Sequence, residues 1–212
     1  MGPVLVAARK DVASPAPAEL YRTTLYSEEL GIRLLKKSDR EYFKWFLASL
    51  LFGGRISETI AKQTYCAFAR HRLLTPRRIL DSGWDFLVNP VMREGGYVRY
   101  DGRKSTQILR DCEMLLECYR GSLNQLHRAA KDSADLEARV SGFYGVGPVT
   151  TNIFLRELRP VWPKADPDPL PVVRERARRA GIDLTSYGRH TLTFARIEAG
   201  LIRQRHSKEA TT

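Results

Sequence analysis

The sequence predicts an all-α fold. Helix-start signals recur along the chain, whereas the alternating polar and apolar runs that predict strands are scarce. The chain has no internal repeat, and its 212 residues can bury a sizeable core as one compact domain or as two small lobes. A sheet-based nucleotide-binding fold is therefore disfavoured.

The elements can be assigned in chain order. Residues 1 to about 18, which include Ala13-Ser-Pro-Ala-Pro-Ala18, predict a flexible arm. Ser38 and Glu41 form a capping-box pattern ahead of an apolar segment that predicts a central core helix, which ends at Gly53-Gly54. Later helix starts are predicted at Ser57, Thr75-Pro76, Asp101 or Ser105, Ser122 and Asp132. Two further helices are predicted at about 169 to 180 and 189 to 206.

Two glycines, Gly145 and Gly147, lie one residue apart between two helix-forming segments. Both can take the positive φ angles of a tight hairpin, and neither has a side chain to hold a nucleic-acid backbone away from the peptide N–H groups. Pro148 has no N–H of its own and suits the first turn of the following helix. The free amides around Val149, Thr150 and Thr151 are therefore predicted to point outward at an anion.

The composition agrees with a polyanionic partner. Lys and Arg number 35 against 24 Asp and Glu, which gives a net charge of +11. Charge alone does not distinguish DNA from RNA or an acidic membrane. No apolar run is long enough to span a bilayer, and the N-terminus lacks the charged-then-apolar order of a secretory signal. We therefore expect a cytoplasmic, nucleoid-associated protein without a membrane partner.

A resemblance to a known family adds to this prediction. The segment Phe143-Tyr-Gly-Val-Gly-Pro-Val-Thr-Thr-Asn152 resembles the helix-hairpin-helix motif of the endonuclease III-like DNA glycosylases, the HhH-GPD superfamily. Residues 45–57 are similar to the family's early helix and DNA-facing loop, and residues 97–108 to the start of its long helix. The resemblance covers about residues 40 to 180, and its specific portion runs from the hairpin to an acidic segment after it.

The resemblance implies a fold and a function. Two helical lobes are expected: residues 40–160 form a barrel lobe that includes the helix-hairpin-helix at 133–158, and residues 19–39 plus 161–212 form the second lobe. The implied activity is a monomeric DNA glycosylase of base excision repair. It would flip a damaged, deaminated or mismatched base out of double-stranded DNA and hydrolyse its N-glycosidic bond.

An essential aspartate follows the hairpin by about twenty residues in this family, where the chain has Lys164-Ala-Asp-Pro-Asp-Pro-Leu-Pro171. A carboxylate there can stabilise the positive charge that develops on the sugar and can orient a water. If Asp168 caps the next helix, the prolines after it fall at the first and third helical positions, where no N–H is required. We therefore favour Asp168 as the catalytic residue, with Asp166 as the second choice. The alternative is that Asp168 only caps a helix.

Family members that also cut the strand carry a lysine at the position of Val149, and a valine cannot form a Schiff base. The resemblance therefore implies a glycosylase without lyase activity. Two alternatives stay open. One is a lyase that uses a relocated lysine, Lys104 or Lys164, and the other is a non-catalytic DNA-binding protein that kept the hairpin.

Further residues are assigned by position. Arg55 and Arg99 are candidates for the wedge that fills the gap left by a flipped base. Arg174 and Arg178 follow the acidic segment and are candidate phosphate contacts, although charge runs on helices are usually solvated faces. Candidate walls of the base pocket are Tyr100, Tyr42 and Trp45, and a core role is the alternative for the last two.

Three cysteines, Cys66, Cys112 and Cys118, show no paired spacing, so we expect reduced thiols and no disulfide framework. The last two are interpreted as buried small thiols within one helix. Some endonuclease III relatives carry four C-terminal cysteines for an iron–sulfur cluster, and this chain has none after Cys118. We expect no cluster and no other metal cofactor, while the resemblance leaves room for a monovalent cation at the hairpin.

Overall fold

The structure is a computed structural model that describes residues 16–204. Helices dominate these residues and no β-strand is among their elements, which confirms the all-α prediction. The α-helices are α1 (Ala18–Tyr21), α2 (Tyr26–Glu29), α3 (Asp39–Phe52), α4 (Glu58–Arg70), α5 (Pro76–Phe86), α6 (Asp101–Tyr119), α7 (Leu123–Ala129), α8 (Ser133–Ser141), α9 (Pro148–Arg156), α10 (Pro171–Arg179) and α11 (Leu192–Arg203). Short 3-10 turns span Leu34–Lys36 and Leu184–Ser186, and a π-helical segment spans Leu87–Met92.

Side-chain caps fix five of the helix starts that the sequence predicts, and α6 begins at Asp101 without such a cap. In each case the cap accepts a hydrogen bond from an amide three residues ahead, and the capping residues are Ser38, Ser57, Thr75, Ser122 and Asp132. The capping box at the start of α3 is only half formed, because the Glu41 carboxylate accepts from the Arg33 amide and from Lys44 instead. These caps satisfy amides that a helix start otherwise leaves unpaired.

The start of α10 corrects one prediction. Leu170 is the N-cap and Pro171 is the first helical residue, with no side-chain cap. Asp168 therefore does not cap this helix, and it lies with Pro169 in irregular chain before it. Pro171 suits the first helical position because its missing N–H would have had no acceptor there. The helix near the C-terminus is also shorter than expected, although residues 205 and 206 lie outside the described part of the chain.

The large core is built around α3. Trp45 is completely buried and its Nε1 donates to the Phe154 carbonyl at 2.9 Å, which joins α3 to α9. Tyr42 is also buried and meets Trp162 edge to face, with ring centroids 5.0 Å apart. Burying an aromatic side chain of this size stabilises the fold by about 2 to 3 kcal/mol. The expectation that Tyr42 and Trp45 wall a base pocket is therefore corrected: both are core residues.

A smaller apolar cluster brings the two ends of the described chain together. It combines Leu20 of α1 with Val173 of α10 and Ile197 of α11. Ala16 belongs to it and its amide donates to the Tyr187 hydroxyl at 2.7 Å. The predicted flexible arm is therefore wrong for residues 16–18, while residues 1–15 lie outside the described residues. The opposite side of α11 packs into the large core, so this helix connects the two clusters.

Two other predictions can be compared with the fold. Cys112 is buried as expected, whereas Cys118 is exposed on the same helix, which corrects its assignment as a buried thiol. All three cysteines are unpaired. Among residues 16–204, no helix is both long and apolar enough to cross a bilayer.

Candidate active site and nucleic-acid interface

The hairpin between α8 and α9 has the geometry expected at only one of its glycines. Gly145 takes a φ of 69°, in the left-handed region that favours glycine. Gly147 is extended, with φ −97° and ψ −178°, and serves as the N-cap of α9. The expectation of a positive φ at Gly147 is therefore corrected. A Cβ added to Gly147 would meet nothing within 4 Å, so the backbone is open to a large ligand at this point.

The first turn of α9 leaves donors available. Its first helical hydrogen bond runs from the Thr151 amide to the Gly147 carbonyl at 3.0 Å, so the Thr151 amide does not point outward as expected. Within the described residues, the amides of Val149 and Thr150 have no acceptor. The threonine side chains turn inward, and Thr151 Oγ1 lies 2.9 Å from Ser141 Oγ. Two amides without acceptors and the helix dipole therefore favour an anion at this helix start.

The two candidate aspartates have different surroundings. The Asp166 carboxylate accepts from Arg189 Nε at 2.6 Å and lies 3.4 Å from Arg159 Nε. Asp168 has a side chain that is 81% exposed, with Arg174 and Arg189 only at 3.7 and 3.9 Å. Asp166 is therefore engaged in holding the loop, whereas Asp168 is available to a ligand.

Buried groups fix the backbone beneath Asp168. The Arg159 guanidinium is buried between the Glu198 carboxylate and the Pro167 carbonyl and donates to both. Asn152 on α9 donates through Nδ2 to the carbonyl of Asp168 at 2.8 Å. The position of Asp168 relative to the hairpin is thus set by contacts from two parts of the chain.

A groove of about 360 Å³ separates the hairpin from the loop that carries Asp168. Val149 and Pro148 line one side, and Asp168 and Arg174 line the other. Asn152 lies in the lining as well, and its Oδ1 is buried without a hydrogen-bond partner. The groove therefore combines an exposed carboxylate, a guanidinium group and an unsatisfied amide oxygen.

A second carboxyl group, Glu137 on α8, shares this groove. Partial burial raises the pKa of Glu137, and the negative charges of Asp168 and Asp166 raise it further. Arg159 and Arg189 oppose this shift. Two carboxyl groups in one groove, one of them held toward its neutral form, can divide the roles of charge stabilisation and proton transfer.

The two lysines considered for a lyase, Lys104 and Lys164, also have different surroundings. Lys164 Nζ donates to the carbonyls of His127 and Ala130 at the C-terminal end of α7, so it serves as a helix cap. Lys104 Nζ donates to the Leu50 carbonyl at 2.9 Å and to Gln107 at 2.6 Å. Desolvation lowers the pKa of Lys104 to about 8, despite a favourable charge on Asp111. Lys104 is therefore the better candidate for a neutral amine.

The remaining candidates lie on the surface. Arg55 and Arg99 are exposed in loops, and neither makes an ion pair or hydrogen bond within the described residues. Tyr100 is 59% exposed, with the Arg99 guanidinium 5.1 Å from its ring centroid, so it does not enclose a pocket by itself. Arg178 donates twice to Glu175, at 2.9 and 3.0 Å. The guanidinium group predicted to contact a phosphate is therefore already paired with a carboxylate.

A larger apolar cavity of about 610 Å³ lies elsewhere, between residues 25–36 and Leu192. It contains neither the hairpin nor the acidic loop, so we place the candidate site in the smaller groove. In the described part of the chain, no group of three or more His, Cys, Asp or Glu side chains is arranged to hold a metal ion.

Sequence reasoning missed four residues of this site: Glu137, Asn152, Arg159 and Arg189. Asn152 lies within the hairpin motif, and Arg159 lies three residues after the end of the largely buried helix α9, which is an unusual place for a charge. Glu137 and Arg189 lie in no local sequence pattern that would have indicated a role in the site.

No protein-family model matches the chain, and neither a curated protein nor a solved structure matches it. Function is therefore inferred from the residues of the groove and the hairpin.

Proposed function

We propose that this protein is a DNA glycosylase that flips a damaged or mismatched base from duplex DNA and hydrolyses its N-glycosidic bond. The observation that carries the proposal is the position of one exposed carboxylate, Asp168, across a groove from a helix start whose Val149 and Thr150 amides lack acceptors. The amides would bind a backbone phosphate. The carboxylate would then face the sugar of the nucleotide held there.

The charge distribution suits this assignment. The chain carries a net charge of +11, and Arg174 stands at the rim of the groove with more than half of its side chain exposed. A cationic rim attracts the DNA backbone and makes binding sensitive to salt. The two-lobed arrangement belongs to the same proposal and is supported by the packing of α1 on α11, which brings together the two ends of the described residues.

Hydrolysis without strand cleavage is the form of the activity that the residues favour. Val149 offers no amine, and Lys164 is engaged as a helix cap. A specific observation keeps the lyase as second candidate, because Lys104 is desolvated and its pKa lies at about 8. A Schiff base on Lys104 would require its amine to leave the Leu50 carbonyl.

The test is base release from duplexes that each carry one lesion, with abasic sites revealed afterwards by hot alkali. We expect Asp168→Asn to abolish release while duplex affinity stays nearly constant. Asp166→Asn is the matched control: it should lower stability and leave a measurable rate, because the Asp166 carboxylate is engaged by Arg189 and Arg159 in holding the loop.

The alternatives give other results. Strand breaks without alkali, and borohydride trapping that Lys104→Ala abolishes, would identify the lyase. No release from any duplex, together with salt-sensitive binding, would indicate a non-catalytic DNA-binding protein.

A further inference from the structure

Three large aromatic side chains are exposed around α6, and none of them lines the candidate groove. They are Trp84, at 45% exposed, Tyr100, at 59%, and Tyr144 of the hairpin, at 45%. Aromatic rings gain more from burial than other side chains, so a cluster of exposed rings indicates a surface that binds something. We call this surface the α6 strip and include in it the exposed arginines Arg103 and Arg110.

The rings of the strip are held in place. Trp84 Nε1 donates both to the Gly102 carbonyl and to Thr106 Oγ1 at 3.1 Å. A Cβ on Gly102 would lie only 2.9 Å from the indole, so the ring packs directly on the start of α6. The Tyr100 ring is contacted by the Arg99 guanidinium, which lies 5.1 Å from the ring centroid. Rings that are already ordered lose little entropy when they bind a partner.

The arginines run along one face of the same helix. Arg103 and Arg110 are seven residues apart, which places them about 10 Å apart along the helix and close to one line. The Arg110 guanidinium stacks on Tyr144, 4.4 Å from the ring centroid. Of the acids nearest these arginines on the helix, Asp101 is turned to the Gly102 amide at 2.7 Å and Asp111 is buried, whereas Glu113 is exposed three residues from Arg110. The strip therefore alternates cations with rings.

We propose that the α6 strip binds single-stranded DNA, with unpaired bases stacked on Trp84 and Tyr100 and phosphates held by Arg103 and Arg110. Alternating rings and cations suit a strand whose base faces are open, whereas a duplex hides those faces. The strip reaches the hairpin where Gln107 packs against Gly145, so one strand could run from the strip to the hairpin. Binding at the strip needs neither Asp168 nor a damaged base.

Tryptophan fluorescence can report on this surface alone. The chain has three tryptophans, and Trp45 and Trp162 are buried in the core at 0% and 1% exposed. We expect an undamaged oligothymidine of about twenty nucleotides to quench the emission of Trp84 at lower concentration than its duplex does. The same titration on the Asp168→Asn background should give the same curve.

Variants make the test specific. Followed by the anisotropy of labelled oligothymidine, Trp84→Ala should weaken binding about five- to 100-fold, while Trp84→Phe should retain most of the affinity. Arg110→Gln should lower the slope of log affinity against log salt by about one unit. Phe86→Ala is the matched control, because Phe86 is a similarly exposed ring on α5 that packs on His71 instead of α6.

The proposal is overturned if Trp84→Ala binds the oligothymidine as tightly as the parent, or if Phe86→Ala loses as much affinity as Trp84→Ala. Preferential binding of the duplex, with no quenching, would also overturn it and would leave the strip as a surface for another partner. Because no lesion is present, either result leaves the glycosylase proposal to its own test.

Discussion

Replacing Arg159 by methionine tests how the loop of Asp168 is held. Arg159 and Glu198 are each 1% exposed and form an ion pair in the interior. Removal of the arginine leaves a buried carboxylate without its main partner, and we expect unfolding free energy to fall by about 3 to 5 kcal/mol. Glu198→Leu should cost less, about 1 to 3 kcal/mol, because Arg159 keeps the Pro167 carbonyl and its contact with Asp166.

The double variant Arg159→Met/Glu198→Leu measures the coupling free energy between the two buried groups. In the double variant both charges are replaced by apolar groups, so no unpaired charge is buried. Its loss of unfolding free energy should therefore be smaller than the sum of the two single losses by about 2 kcal/mol or more. Urea unfolding of the parent, the two single variants and the double variant at neutral pH measures this difference. Additive single costs would refute the reasoning, because they would mean that Arg159 and Glu198 contribute independently.

Four further predictions concern two glycine positions and two carboxyl groups. Gly53→Ala should lower stability by about 1 to 3 kcal/mol in urea unfolding, since its Cβ would lie 2.0 Å from a threonine oxygen of α9. Gly147→Ser, where space is open, should change stability by less than about 0.5 kcal/mol. Burial raises the pKa of Asp111 to about 8. Between about pH 4 and pH 8 the folded state therefore keeps a proton that the unfolded state releases, so the free energy of unfolding falls as pH rises through this range. Asp111→Asn should therefore stabilise more at pH 8 than at pH 5, and an equal gain at both would contradict this. Finally, Asp168→Asn removes a negative charge that raises the pKa of Glu137. Carboxyl NMR should show the pKa of Glu137 moving down toward its ordinary value. An unchanged titration would mean that the two groups do not interact.

Local chemistry made much of the fold predictable. Ser38, Ser57, Thr75, Ser122 and Asp132 start their helices because one side-chain oxygen satisfies an amide three residues ahead, and this pattern is legible in sequence. The left-handed turn at Gly145 was predictable for a similar reason. The start of α10 was misplaced because the prolines around it were counted from Asp168, whereas the helix begins at Pro171.

Contacts between distant residues were not predictable. Asp166 and Asp168 look alike in sequence, and they differ because Arg189, 23 residues after Asp166, reaches back to bind it. Tyr42 and Trp45 lie on an apolar helix, where sequence cannot decide between a core and a pocket wall. That choice depends on which helices pack against α3, and the partners are Trp162 and Phe154, more than a hundred residues away.

The ion pair beneath the acidic loop has a consequence for the order in which the protein matures on the ribosome. The hairpin and the helices it packs against all precede Arg159 in the chain, whereas the anchor of the loop needs Glu198, which is synthesised 39 residues after Arg159. A nascent chain can therefore form the phosphate-facing turn before α11 has emerged, while the arginine below the loop still lacks its carboxylate. The groove is completed only when α11 docks, so the part of the molecule that would act on DNA matures after the hairpin has formed.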